Sequence, residues 1–382
     1  MSKTIIIIGA GLAGLSAALQ AAENGCNVKL VSSLPSERAQ SVMAEGGINA
    51  ALNTKDENDS PEEHFTDTIK AACGLADPNA VWGMTQAAPE LVHWLLKLGV
   101  KFNMSGYDDV DLRNFGGQKK KRTAFAQSDT GKQIMTAMID AVRRKEASGM
   151  VERFSHHSFL TLRLCGNICC GCVIRDEYSQ ETVELPGDAV IVATGGMHGL
   201  FGNTTGSLSN TGEVTAELFR LGVPLANGEM IQYHPTTVKC GGKRMLISEA
   251  ARGEGGRLFA MKDGKQWYFM EEKYPELGNL MPRDITAREI WKVSHESEVF
   301  LDMTEISEEI ISNKLSGLAD DCMTICIKIY ERNRCLFYRE FTILWEAFWW
   351  MSSTERRFRI FALPENAVPN IMVPTVLVEI LC

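Results

Sequence analysis

The chain has 382 residues, enough for two to three domains and a large α/β core. Its hydrophobic content of 45% and charged content of 23% are those of an ordinary globular protein, and a net charge of -9 excludes nucleic acid as the default partner. No uninterrupted apolar run approaches the roughly 18 residues that would cross a bilayer.

From Lys3 the chain goes straight into IIII and a glycine-rich turn, which does not read as a signal peptide and predicts a cytoplasmic protein. Residues 4–8 are a β-branched apolar run, predicted as a parallel strand buried on both faces. They enter Gly9-Ala10-Gly11-Leu12-Ala13-Gly14, a G-x-G-x-x-G pattern. Residues 15–23 read as an Ala-rich helix and residues 27–31 as the next strand. Gly9 permits the tight turn, Gly11 lets the backbone approach a pyrophosphate, and Gly14 lets helix and strand pack closely. Unpaired N–H groups at the helix start suit phosphate oxygens. The strand–turn–helix–strand frame makes this a nucleotide site. Where an acidic residue normally closes the second strand, Ser32 and Ser33 stand instead, and a hydroxyl there can still reach a ribose. That absence weakens NAD as the ligand. A later apolar strand, residues 189–192, runs into Ala193-Thr194-Gly195-Gly196, a recurrent second contact in FAD enzymes. Two separated segments on one cofactor suit FAD better than NAD.

Eleven cysteines without secretory context predict reduced thiols. Four of them, Cys165, Cys169, Cys170 and Cys172, fall in LCGNICCGCVI. One reading is a metal or iron–sulfur cluster; the other is a hairpin turning at Gly166-Asn167, with cysteine filling small apolar slots. No second cluster follows at ligand spacing, which favours the hairpin and no metal site.

Six further stretches follow in order: SERAQSVMAEGGINAAL, FGGQKKKRTAFAQSDTGKQIM, ATGG with TTGSLSNTGE, GEMIQYHPTT, LISEAARGEGG and MPRDITARE. Over about residues 3–323 the chain thereby resembles the flavoprotein subunits of succinate dehydrogenase and fumarate reductase, a family that includes L-aspartate oxidase. The resemblance implies an α/β protein: a Rossmann-type FAD-binding domain interrupted by an α+β capping domain that closes over a dicarboxylate. The FAD domain is expected over residues 1–226 and the cap over 227–323. It also implies FAD contacts from Gly9, Ala10, Gly11, Gly14, Ser32, Ser41, Gly46, Gly47, Ala193, Thr194, Gly195 and Glu213. His234, Ser248 and Glu249 match the family's substrate-binding positions. Arg283 matches the arginine that delivers a proton, and Arg252 with Glu249 the relay that returns it.

Read alone, His234 before Pro235 fits a turn cap, and Arg283-Asp284 fits a surface pair. Arg288 and Glu289 read as a solvated helix face. An arginine acid is plausible only against a developing carbanion and beside a carboxylate that re-protonates it. The family's flavin-linking histidine is replaced in Arg38-Ala39-Gln40-Ser41-Val42 by Gln40, which cannot form that bond, so FAD is expected to bind non-covalently. In the family the covalent link accompanies a higher flavin potential, so its loss tilts the reading toward fumarate reduction or aspartate oxidation. The resemblance further implies an iron–sulfur subunit and a membrane-anchor subunit as partners, placing the chain at the cytoplasmic membrane face.

After about residue 324 the family pattern calls for HY-x-MGG and then GE…HGANRLGGNSL, and neither appears. Reading synonymous codons for residues 363–382 one base earlier permits AAGECCAQYHGANRLGGNSL. Met372-Val373 forces a glycine codon in that frame, as does Trp345-Glu346. The same shift permits HYFMGGIL from FTILWEAFWW and YLHKDIRTEPVPVLPG from residues 325–340. One frame serves all 58 residues, and it also accounts for LWEAFWWMSS, an aromatic cluster with no helical or strand period. Residues 324–382 are therefore expected to be an out-of-frame tail, and the chain as written to be inactive. Three readings stand: a fumarate reductase or succinate dehydrogenase flavoprotein, favoured by FGGQKKKRTAFAQSDTGKQ; an L-aspartate oxidase, favoured by Gln40 and LISEAARGEGG; and a non-catalytic nucleotide-binding remnant.

Overall fold

The computed structural model describes residues 2–106, 109–166, 168–201, 204–225, 233–240, 243–325, 334–337 and 342–343. The first half runs β1 (Thr4–Ile8), α1 (Leu12–Glu23), β2 (Asn27–Ser32), β3 (Ile48–Asn49), α2 (Pro61–Ala71) and α3 (Pro78–Leu98). It continues β4 (Leu112–Arg113), β5 (Thr123–Ala124), α4 (Thr130–Ala147) and β6 (Val151–Ser155). A meander of β7 (His157–Cys165), β8 (Ile168–Asp176) and β9 (Thr182–Pro186) precedes β10 (Ala189–Val192) and α5 (Glu213–Arg220).

Four parallel strands in the order β10-β1-β2-β6 form the central sheet, with α1 as the crossover from β1 to β2. Strand periodicity explains its burial. Ile7 packs on one face with Leu15, Ala18 and Leu19 of α1 and with Met138 and Val142 of α4. Its neighbours Ile6 and Ile8 point the other way, onto Leu162, Cys172, Ile174 and Leu185 of the meander. The three isoleucines are at most 3% exposed, and each such burial contributes roughly 1.5–3 kcal/mol. The fold is the α/β, Rossmann-type arrangement expected.

Helix boundaries follow local chemistry. Ser60 caps α2 by accepting from Glu63 N at 3.2 Å, with Pro61 at the first position. Asp77 and Pro78 do the same for α3, which stops at Gly99 in the left-handed region (φ +104°). Arg122 fixes the loop between β3 and α2: its Nε and Nη2 donate to Asp59 at 3.0 and 2.7 Å, and its Nη1 lies 2.9 Å from Asp67. Arg122 and Asp59 are both buried, and burial, followed by the charge of Arg122, lowers the pKa of neighbouring His64 to about 4.

The second half holds β11 (Tyr233–His234), the hairpin β12 (Thr237–Cys240) and β13 (Lys243–Leu246), and α6 (Ala250–Gly253). Next come β14 (Arg257–Lys262), β15 (Lys265–Trp267), α7 (Phe269–Lys273), α8 (Arg283–Ser294) and β16 (Val299–Asp302), then α9 (Glu308–Lys314) and α10 (Ser316–Ile325). A separate apolar core joins Val238, Ile247, Leu258, Phe269, Ile290, Leu301 and Leu318. The proposed boundary at 226/227 lies outside the described residues, as do LWEAFWWMSS and most of the tail. Besides the end of α10, two strands of the tail are described: β17 (Arg334–Phe337) pairs with β16, and β18 (Thr342–Ile343) with β11. Such pairing uses main-chain groups that any reading frame supplies.

Two expectations need correction. The hairpin turns at Gly166 as expected, and Cys172 is the small buried filler, its thiol pushed up to about 12 mainly by burial. Cys165 and Cys170, however, form a disulfide with a Cα–Cα distance of 6.2 Å. A register shift after Arg163 leaves Cys170 out of the ladder and lets it meet Cys165 across the turn. Of the Arg288–Glu289 pair in α8 only Arg288 is solvated; Glu289 is 6% exposed, held by Lys273 at 2.6 Å, Lys292 at 3.0 Å and Tyr274 at 3.2 Å.

Candidate active site

Three backbone segments converge at the C-terminal ends of β1 and β10. Gly9 N donates to Val31 O at 2.8 Å and Ala193 N to Ile8 O at 2.7 Å. A Cβ on Gly9 (φ +110°) would sit 2.1 Å from Ala193 O, and one on Gly14 only 1.8 Å from Gly9 O. The third segment, residues 40–47, arrives through Ser41, whose Oγ accepts from Leu12 N at 3.2 Å. A Cβ on Gly11 would meet that same Oγ at 3.3 Å. These glycines leave a backbone-lined cradle at the start of α1, whose N-cap Gly11 offers no side chain to its N–H groups. The cradle fits a dinucleotide diphosphate. Ala10 is buried, Thr194 half-buried and Gly195 exposed at its rim; Ser32 is buried at the end of β2, and Glu213 opens α5. In a protein with the frame restored near codon 324, Gly14→Ala is expected to yield no soluble flavin-binding product, since the clash is with backbone; retained FAD uptake measured by fluorescence quenching would contradict this.

The second centre lies where the two halves meet. Glu249 caps α6 and is buried with Arg252; its Oε1 accepts from Arg252 Nη2 at 2.8 Å and lies 3.1 Å from Arg283 Nε. Arg283 Nη2 donates to Oε2 at 3.3 Å. Burial pushes the Glu249 carboxyl up, but Arg283 and Arg252 overrule it and bring it down to about 2. Arg252 Nη1 also donates to Asn279 O at 2.6 Å, while Asn279 Oδ1 accepts from Leu258 N at 2.8 Å. Ser248 is buried, its Oγ accepting from Ala250 N at 3.3 Å.

His234, also buried, is lowered to about 3, by burial first and then by the positive charges of Arg283 and Arg252. Its Nδ1 lies 3.0 Å from Thr236 O and 3.3 Å from Thr236 N, contacts that require opposite tautomers. It is neutral at pH 7. His64 and His234 thus have folded pKa values below the unfolded 6.5. Above pH 6.5 neither contributes; below it the unfolded chain takes up protons the folded chain refuses, and stability falls. Each histidine should add a slope of about 1.4 kcal/mol per pH unit. Urea unfolding between pH 7 and 5 checks this: His64→Gln should flatten the dependence, and an unchanged slope would contradict it.

The structure therefore brings together His234, Glu249, Arg252 and Arg283, with Ser248 adjoining. The sequence reading missed the residues that back them. Gly116 takes part because a Cβ there would lie 3.2 Å from Glu249 Oε1, and Gly117 N donates to Leu280 O at 2.7 Å. Phe115 lies over Gly46, where a Cβ would come within 2.8 Å of its ring. The Gly116-Gly117 doublet was the available signal, since paired glycines in a loop mark close approach. Among the described residues, no group of three or more His, Cys, Asp or Glu is placed to hold a metal, and no helix is long and apolar enough to cross a membrane.

Comparison with known proteins adds the decisive observation: residues 4–352 match the family model of the FAD binding domain. The chain belongs to that family. It is 43% identical over 339 residues to the succinate dehydrogenase flavoprotein subunit of Bacillus subtilis, covering 86% of this chain and 56% of the relative. It is 33% identical over 326 residues to the 8-methylmenaquinol:fumarate reductase flavoprotein subunit of Wolinella succinogenes, covering 82% and 51%. Against an L-aspartate oxidase of Streptomyces coelicolor it is 32% identical over 333 residues, covering 84% and 56%. Among solved structures, a mutated FrdA of E. coli quinol fumarate reductase superposes with a TM-score of 0.80 at 25% identity, over 90% of this chain and 60% of that one. This FAD-binding family member spans about half the length of the curated relatives it matches.

Proposed function

We propose that the chain is the FAD-carrying part of a fumarate-reducing or succinate-oxidising enzyme, with fumarate reduction the favoured direction. The observation that carries this is the buried Glu249 carboxylate bridging Arg252 and Arg283 against the Gly116 loop, beside neutral His234. The cradle of Gly9, Gly11, Gly14 and Ala193 would hold FAD, with Gln40 leaving it non-covalent. When bound, FAD supplies hydride chemistry. The protein's own residues do the rest. His234, in the tautomer that accepts from Thr236 N, presents Nε2–H to one substrate carboxylate; Ser248 presents its hydroxyl. Arg283, the most exposed of the three charged groups, delivers a proton to the substrate carbon. Glu249 returns a proton to Arg283, with Arg252 completing the relay.

The partners that fit this reading are a dicarboxylate substrate, an iron–sulfur subunit and a membrane-anchor subunit, which would hold the chain at the cytoplasmic membrane face. We further propose that the FAD domain covers residues 1–226, the cap 227–323, and an out-of-frame tail 324–382; sequencing the coding DNA around codon 324 and finding an undisturbed frame would sink the last point. The test of function is a dye-coupled assay of fumarate reduction, with acid precipitation to see whether flavin stays with the protein. L-Aspartate oxidase is the second reading, favoured by Gln40 and by the match to the Streptomyces coelicolor enzyme. Dye reduction by L-aspartate but not by succinate would select it. A protein that stays folded, colourless and inactive even with the frame restored near codon 324 would select the non-catalytic remnant.

A further inference from the structure

We propose that Arg113 is the positioning residue that shapes residues 44–47 for the flavin, an inference that rests on the FAD reading above. Three consecutive carbonyls of this segment are drawn to one side. Gly131 N donates to Ala44 O at 2.6 Å, and Thr130 Oγ1 to Glu45 O at 3.4 Å. Arg113 Nη2 donates to Glu45 O at 3.1 Å and also to Gly46 O. A trans peptide points its N–H opposite its C=O, so the N–H groups of Gly46 and Gly47 face away from Arg113. That arrangement turns two adjacent donors outward, as an electron-rich heterocycle requires.

The way Arg113 is held supports a local task over general stabilisation. It is 2% exposed, with its guanidinium carbon 4.3 Å from the Phe125 ring centre and 5.8 Å from that of Phe115. Phe115 is the ring against which Gly46 packs. Among the described residues, Arg113 Nε and Nη1 have no hydrogen-bond partner. Burying a cation with two idle donors is costly, a cost that the Glu254, Glu45 and Asp111 carboxylates offset by their charge. An apolar side chain of similar volume removes both that cost and the charge attraction, so the change specific to residues 44–47 is the loss of the two carbonyl contacts. Arg113 thus ties together the segment at the flavin and the Phe115-Gly116-Gly117 loop at Glu249, linking the two centres of the site.

The test compares wild type, Arg113→Met and Arg113→Lys. Hydrogen exchange is read on the 382-residue chain without flavin, and FAD affinity and absorption spectrum on a chain with the frame restored near codon 324. In R113M the global unfolding midpoint should hold, while amides of residues 44–48 exchange at least tenfold faster and FAD affinity falls at least tenfold. R113K, which keeps a donor for one carbonyl, should recover part of both and part of the wild-type flavin spectrum. Unchanged exchange over residues 44–48 in R113M overturns the proposal. So does faster exchange along the whole chain with a lowered midpoint, which would mark Arg113 as merely structural. If the local exchange responds but restored wild type takes up no FAD, the FAD reading falls, and with it the assignment of Arg113 to the flavin.

Discussion

Expressed as written, the 382-residue chain should emerge nearly colourless, whereas the same coding sequence with one base restored near codon 324, read on into the downstream DNA, should give a yellow protein that reduces fumarate. The contrast is expected to be large because the two parts of the site are unequally supplied. The proposed diphosphate cradle draws on Gly9, Gly11, Gly14, Ser41 and Ala193, which approach one another around the start of α1. Residues 325–382, in contrast, carry no HY-x-MGG or HGANRLGGNSL stretch, and so neither the second substrate histidine nor the second arginine that the resemblance implies. Two absent charge-assisted donors, at roughly 1.5–3 kcal/mol each, weaken dicarboxylate binding by about two to four orders of magnitude. Strands β17 and β18 pair with β16 and β11 through main-chain groups, which any reading frame supplies. Flavin absorbance of both purified proteins and their dye-coupled turnover decide the matter. Stoichiometric FAD and ordinary turnover in the 382-residue chain would show residues 324–382 to be genuine.

How much of this was legible follows from the range of the interactions. The stretch from β1 through β2 was readable almost residue by residue, because strand period, glycine spacing and helix start are all encoded within about thirty residues. The helix begins at Leu12, three residues before the apolar pattern suggested, since Gly11 and the Ser41 hydroxyl serve its first turn. The charged residues of the site were legible only through a resemblance, since nothing local distinguishes Arg283 next to Asp284 from an exposed pair. What holds Arg283 against Glu249 is a contact 34 residues away. Arg113, Asn279 and the Arg122–Asp59 pair were not legible, because each acts through partners far along the chain: Asp59 lies 63 residues from Arg122, and Gly46 lies 67 from Arg113. The Cys165–Cys170 bond escaped for a different reason. It depends on a bulge that shifts the register by one residue, and a hairpin read from alternation alone has no such shift.

In the frame-restored protein, Glu249→Gln and Arg283→Lys should separate proton delivery from substrate binding. Arg283→Lys keeps a positive charge but cannot span both carboxylate oxygens, which the guanidinium now engages at 3.1 and 3.3 Å. If Arg283 delivers the proton, kcat should fall by about 10²–10⁴ with KM changed far less. Glu249→Gln removes the one negative charge between two guanidiniums and leaves Arg252, whose side chain is 1% exposed, uncompensated. That should cost about 3–5 kcal/mol of stability as well as turnover. The pH dependence supplies the cross-check. The Glu249 carboxyl is held at about 2, below its ordinary 4.5, so its stabilising contribution is fully present above pH 4.5 and disappears only as pH falls toward 2. Glu249 is therefore ionised throughout the working range and should contribute no acid limb to the rate above about pH 4. His234, neutral down to about pH 3, should contribute none either. A rate that falls between pH 7 and 5, in parallel with loss of folded protein, would reflect the unfolding expected from His64 and His234. A fall in that range with the fold intact would mean that some other group carries the proton, and Arg283 would lose its role.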